Sequence, residues 1–233
     1  MARQTAFITG VEGGLGRAVA LALLQRGWHL VAVVRRGPGA GPVVEELRQA
    51  GGAVYPLTAN VTRRAELEHA LEPIHRLGGT LRLLLPAAEV AHQAPFAEMN
   101  PRHWQEMIDV NLTGLFHTVQ AALPLMESGS HIFLPMSVAN GRQGSPSWAI
   151  YSATKAALRG FADALRDELR PRRIHVTLLS VGGTKQSQHM PGQHGFHPDH
   201  IAPWILHVVE HPEVSVEEVH IFPLASGPED HSL

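Results

Sequence analysis

Short, continuously apolar runs separated by helical stretches constrain this chain more than any other feature of it. Thr5–Thr9, Leu30–Val34, Ala53–Leu57, Leu81–Leu85, His131–Met136, Ile174–Ser180 and Val219–Phe222 read as strands. Their near-continuous apolar character marks strands buried on both faces. Helical stretches lie between them: Gly14–Gln25, Val43–Ala50, Arg63–Arg76, a long one over Pro101–Met126, one bearing Tyr151 and Lys155, and Asp199–Val209. Parallel strands need crossovers, and crossovers are right-handed, so the alternation predicts a parallel sheet covered by helices on both sides. The expected fold is α/β, a doubly wound Rossmann-like sheet of about seven strands. No repeat, low-complexity tract or internal boundary interrupts the pattern, and residues 1–233 are read as one domain. A glycine-rich half runs to about residue 100, a second half covers about 101–222, and Pro223–Leu233 reads as a loose tail.

Composition narrows the classes of function. A formal net charge of −2 argues against general affinity for nucleic acid or an anionic membrane. The absence of cysteine removes disulfides, thiolate metal sites and thiol nucleophiles, and suits a reducing cytoplasm, the expected location. No apolar run approaches the roughly 18 residues of a spanning helix, and the N-terminus enters a strand at once, leaving no room for a secretory signal. Sixteen histidines are unusual, and six of them (His189, His194, His197, His200, His207 and His211) crowd the loop and helix after the sixth strand. His207 and His211 stand one turn apart, but no acid lies between them in a zinc pattern, so no metal is expected. Met190 and Phe196 in the same segment suggest a partly apolar pocket wall. Trp104, Met107, Ile108, Leu112, Leu115, Phe116 and Val119 form an apolar stripe on the long helix, suited to the sheet or to an interface between copies.

The stretch Tyr151-Ser-Ala-Thr-Lys155 is the expected seat of chemistry. Tyr and Lys four apart on a helix share one face. A free phenol titrates near ~10, and an ammonium about 4 Å away, at an effective dielectric near 20, offers up to roughly 4 kcal/mol. That is enough to move the phenol by up to about three units, towards the pH at which it both gives and takes a proton. The plainer reading is a buried Tyr and a surface Lys on one helix. Upstream, Gly10-Val-Glu-Gly-Gly-Leu-Gly16 joins a strand to a helix, where backbone amides can face a pyrophosphate. A glycine-rich connection without ligand is the alternative there.

The glycine spacing TGxxxGxG differs from the GxGxxG of long-chain dehydrogenases and resembles the short-chain dehydrogenase/reductase family. The resemblance runs from Thr5 to about Phe222. It rests on TGVEGGLG at Thr9–Gly16, VNLTG at Val110–Gly114, Ser137, and YSATK at Tyr151–Lys155, in the family's order. It implies an oxidoreductase interconverting a carbonyl and an alcohol on a small molecule, with a nicotinamide dinucleotide as hydride carrier. The implied catalytic set is Ser137, Tyr151, Lys155 and Asn111. Ser137 would hold the substrate carbonyl and Tyr151 would donate the proton. Lys155 would depress the tyrosine pKa and hold the nicotinamide ribose, and Asn111 would anchor a water relaying protons to Lys155. Ser137 rests on its Ser-Val-Ala context, since it stands one residue further from Tyr151 than is common. The implied cofactor contacts are Gly10, Glu12, Gly14, Leu15, Gly16, Arg35, Arg36, Asn60, Val61, Ala88 and Thr184, with Tyr151 and Lys155. A homodimer or homotetramer is expected by the same resemblance.

Two departures matter. The family's Asn-Asn-Ala-Gly after the fourth strand is here Pro86-Ala87-Ala88-Glu89, of which only Ala88 survives. A working site then requires Glu89 turned to solvent. A relative that binds a ligand or protein partner without catalysis is the alternative. The acid that commonly opens the loop after the third strand is Asn60, and the usual Pro-Gly after the sixth strand is Val181-Gly182. At the end of the second strand, Val34 is followed by Arg35 and Arg36, and guanidinium pairs well with phosphate. NADP(H) is therefore favoured over NAD(H), with Arg35 the better contact. Glu12 argues the other way, and arginines that merely solubilise a strand end remain the alternative.

Overall fold

The computed structural model describes residues 4–35, 37, 40–78, 80–137, 146–182 and 197–221. Seven parallel strands form one sheet: β1 (Thr5–Thr9), β2 (His29–Val34), β3 (Ala53–Thr58), β4 (Leu81–Pro86), β5 (Met126–Ser137), β6 (His175–Val181) and β7 (Glu218–Ile221), in the order β3-β2-β1-β4-β5-β6-β7. The helices are α1 (Gly14–Gln25), α2 (Ala40–Gln49), α3 (Arg64–Arg76), α4 (Pro101–Ile108), α5 (Leu115–Ala122), α6 (Ala149–Leu169) and α7 (Ala202–Glu210). Successive strand residues point to opposite faces, so each strand feeds two cores. Phe7, Val31, Leu84, Ile132 and Val176 pack under α3, α5 and α6. Ile8, Leu30, Leu83, Phe133 and Leu179 pack under α1, α2 and α7. This is the doubly wound Rossmann-like fold that the alternation predicts.

Two stretches differ from the sequence reading. The long helix is not uniform: α4 passes through a π turn over Asp109–Gly114 into α5, and a 3-10 turn at Leu123–Leu125 ends the run. Pro124 has no N–H to continue the ladder, which explains the ending. The widened turn follows from Asn111, whose side chain is drawn off the helix to a neighbouring loop. The second difference is β5, which begins at Met126 and not at His131. An irregularity in its pairing with β4 between Leu81 and Leu83, and the left-handed Gly129 (φ 81°), let the extra residues join the ladder. Within the predicted stripe, Met107, Leu115 and Val119 are buried, whereas Trp104 and Phe116 are exposed. The stripe therefore serves the interior only in part. Phe222, the expected end of the last strand, and the tail Pro223–Leu233 lie outside the described residues.

Candidate active site

The strand order reverses between β1 and β4, and in open α/β sheets the carboxyl edge at such a point is where ligands bind. The glycine turn sits there. Gly10 has φ 70°, and a Cβ on it would come within 2.6 Å of the Ala87 carbonyl oxygen and the Ala88 nitrogen. A Cβ on Gly16 would meet the Gly10 carbonyl oxygen at 2.5 Å. These two glycines are thus required by the turn's own packing. What suits an anion is the start of α1: Gly13 caps it without a side-chain hydrogen bond, and no acid stands in its first turn. Its first amides are therefore available to a pyrophosphate. Leu15 is half-buried against the α1 core, and Gly14 opens the helix.

Around this turn the other expected contacts divide. The Ala88 N–H donates to Thr9 Oγ1 at 3.3 Å, holding the loop after β4 onto β1. The Glu12 carboxylate accepts a hydrogen bond from the Arg35 backbone N–H, which places its charge at the end of β2. Asn60 accepts from Thr62 N–H and Oγ1, each at 3.0 Å, and its own N–H donates to Glu66. Its side chain is thus spent on the turn leading into α3. Val61 is buried, and a Cβ on Gly114 would lie 2.7 Å from its Cγ2, so the glycine of VNLTG lets the π turn close onto it. Arg36, Thr184, His189, Met190, His194 and Phe196 lie outside the described residues.

On α6, Tyr151 is buried in a small apolar cluster with Met107, Trp148 and Ile150, its ring edge-on to Trp148 at 5.7 Å. Lys155 follows one turn later, its side chain only 7% exposed and its Nζ 5.5 Å from the centre of the Tyr151 ring. Nζ donates to the Pro135 carbonyl at 3.1 Å. Two residues on, Ser137 closes β5 opposite Val181. A nearly buried ammonium needs a counter-charge, and Glu89 supplies it: Oε2 lies 2.6 Å from Nζ. The same oxygen accepts a hydrogen bond from Tyr151 Oη at 3.2 Å. Glu89 is therefore not turned to solvent, as a working site was expected to require, but turned inward onto Lys155 and Tyr151. The phenol responds in the opposite sense to the expected depression. Burial first, then the charge and hydrogen bond of Glu89, push Tyr151 well above the ordinary tyrosine value.

Asn111 holds this loop. Its Oδ1 accepts from Val90 N–H and its Nδ2 donates to Val90 C=O, both at 2.9 Å. Nδ2 also lies 3.3 Å from Thr154 Oγ1, and that hydroxyl donates to the Tyr151 carbonyl at 2.8 Å. The Asn111 side chain thus ties the π turn to both the Glu89 loop and α6, where the sequence suggested a water anchor. Glu89 is the residue whose direction the sequence reading missed. The available signal was a carboxylate in a segment where the resembling family has glycine.

Among the described histidines, His207 and His211 lie with ring centres 4.7 Å apart, and His211 pairs with Glu213. No group of three His, Cys, Asp or Glu among the described residues is placed to hold a metal. No helix among them is long and apolar enough to cross a membrane.

Comparison with known proteins agrees with the fold. An uncharacterized oxidoreductase of Listeria monocytogenes is 29% identical over 236 residues, spanning 93% of this chain and 94% of the relative. A 3-oxoacyl-acyl-carrier-protein reductase of Staphylococcus aureus is 31% identical over 182 residues, covering 77% of this chain and 74% of that enzyme. The crystal structure of a dehydrogenase/reductase from Sinorhizobium meliloti superposes with a TM-score of 0.87 at 26% identity, over 97% of this chain and 96% of that one. The family model for short chain dehydrogenases matches residues 4–193, from the start of β1 past β6, and the chain accordingly belongs to the short-chain dehydrogenase/reductase family of oxidoreductases.

Proposed function

We propose that this oxidoreductase interconverts a carbonyl and an alcohol on a small molecule, using Tyr151 as the proton donor. The observation that carries the reading is that Tyr151 Oη and Lys155 Nζ both reach Glu89 Oε2, on the loop after β4 whose Ala87 and Ala88 pack against the glycine turn. A nicotinamide dinucleotide bound along that edge supplies the hydride. The α1 amides suit its pyrophosphate, and Lys155 has the donors for ribose hydroxyls. In reduction, Tyr151 passes its proton from Oη to the carbonyl oxygen as that oxygen gains charge. A neutral, buried phenol fits this role, because it keeps its proton until a stronger base forms beside it. Ser137, at the end of β5, is assigned the substrate carbonyl, and the Asn111 side chain keeps the π turn, α6 and the loop after β4 in register.

NADP(H) is the proposed carrier, with the Arg35 guanidinium on the 2′-phosphate. NAD(H) is the second reading, favoured by one observation: the Glu12 carboxylate rests on the Arg35 amide, where ribose hydroxyls would find an acceptor and a phosphate would meet repulsion. Calorimetric titration with NADPH and NADH separates the two. The expected result is tighter NADPH binding, weakened roughly tenfold or more by Arg35→Ala and strengthened by Glu12→Gln. Tighter NADH binding that Glu12→Gln abolishes selects the second reading, and no binding of either dinucleotide refutes the oxidoreductase proposal. The open apolar groove between α5 and α6, lined by Leu112, Leu115, Phe116, Leu158 and Phe161, is proposed as the face that pairs copies of the chain.

A further inference from the structure

Glu89 stands where the chain departs from its family, and the geometry points to a role for it: we propose that Glu89 is a positioning residue whose single oxygen bridges Lys155 and Tyr151, competing with ligand hydroxyls for the ammonium. This deepens the oxidoreductase reading and, for the ligand, rests on it. The charge balance motivates the inference. Lys155 is nearly buried, with the Pro135 carbonyl and Glu89 Oε2 as its partners at 3.1 and 2.6 Å. The Glu89 side chain is 35% exposed, so it can leave the ammonium and enter water, whereas Lys155 cannot follow. An incoming ribose therefore replaces a charged partner of Nζ with a neutral hydroxyl, so the ligand gives up part of its binding to displace the carboxylate. Meanwhile the carboxylate keeps the phenol protonated, by accepting its hydrogen bond and by cancelling the ammonium that would otherwise favour phenolate.

The anchorage of the loop supports a built arrangement. Val90, the next residue, is held through both N–H and C=O by Asn111, and Ala88 donates to Thr9. The backbone on both sides of Glu89 is thereby fixed, with its Oε2 within reach of both Tyr151 and Lys155.

Phenol titration reads the bridge without any ligand. The chain has two tyrosines, so Tyr55→Phe leaves Tyr151 as the only phenol whose ultraviolet absorbance changes with pH. In that background, Glu89→Gln is expected to lower the ionisation midpoint by about one unit or more, and Glu89→Asp to leave it nearer the parent. Superimposable titrations of parent and Glu89→Gln overturn the bridge. Calorimetry with NADPH reads the competition: Glu89→Gln and Glu89→Gly are expected to tighten binding roughly ten- to a hundredfold, the span of one charge-assisted hydrogen bond. Equal or weaker binding by both variants, in a parent that binds NADPH, overturns the competition. A parent and variants that all fail to bind any dinucleotide refute the proposed function, while the titration still decides the bridge.

Discussion

His131 makes the stability of this fold acid-sensitive in a way that one substitution should remove. The ring is fully buried on β5, stacked on His175 at 4.3 Å and on Phe133 at 5.8 Å. Neither ring nitrogen makes a hydrogen bond of ordinary geometry among the described residues. Burial is the main reason its pKa falls from 6.5 to about 3; His175 and Arg82 add to the effect, and the Gly129 backbone opposes it. The folded ring therefore stays neutral where the unfolded chain takes up a proton. Stability is fully present above about pH 6.5 and is lost as the pH falls from there towards about 3. Between about pH 7.5 and about pH 5, this one group removes roughly 2 kcal/mol. Urea unfolding at those two pH values, on the parent and on His131→Phe, tests the figure. The aromatic replacement keeps the stack and leaves nothing to protonate, so its loss on acidification should be smaller by that amount. His175, also lowered by burial, contributes to both proteins in the same direction. Parallel losses in parent and variant would refute the reasoning.

Three other outcomes follow from the geometry. Tyr151→Phe should abolish carbonyl reduction, measured as loss of nicotinamide absorbance, while calorimetry shows dinucleotide binding retained; a variant keeping most of the parent turnover would remove Tyr151 from the mechanism. Gly10→Ala should destabilise the fold by roughly 1–3 kcal/mol from its φ alone, with the contact to the Ala87 carbonyl adding to that, as chemical denaturation will measure. Phe116→Glu, on the exposed part of the α5–α6 face, should shift sedimentation towards a smaller species without changing far-ultraviolet circular dichroism.

The sheet was legible because its inner strands are buried on both faces, a condition that continuous runs such as Leu30–Val34 satisfy without reference to partners. The start of β5 was not, since Met126–Ser130 holds Glu, Gly and two Ser and joins the ladder only through the irregularity opposite Leu81. The π turn was hidden for a related reason: Asn111 reads as a poor helix residue, but what it bonds lies on a distant loop. That Tyr151 and Lys155 stand side by side was legible in their spacing, which a helix converts directly into proximity. Glu89 was visible as a departure, yet its direction depends on the Asn111–Val90 clamp and on Lys155, neither of which local pattern reveals.

The clamp also determines what kind of motion can change the state of the site. Asn111 meets the backbone of Val90 as a neighbouring strand would, donor to acceptor and acceptor to donor, so a side chain closes a rung outside the sheet. Two hydrogen bonds must break together before the loop drifts. Glu89 is thus a short arm on a fixed pivot, and its departure from Lys155 needs rotation about its own side-chain bonds and no rearrangement of the loop. Exchange of the ammonium between carboxylate and ligand then becomes a local torsional event, with the sheet, the helices and the glycine turn left in place.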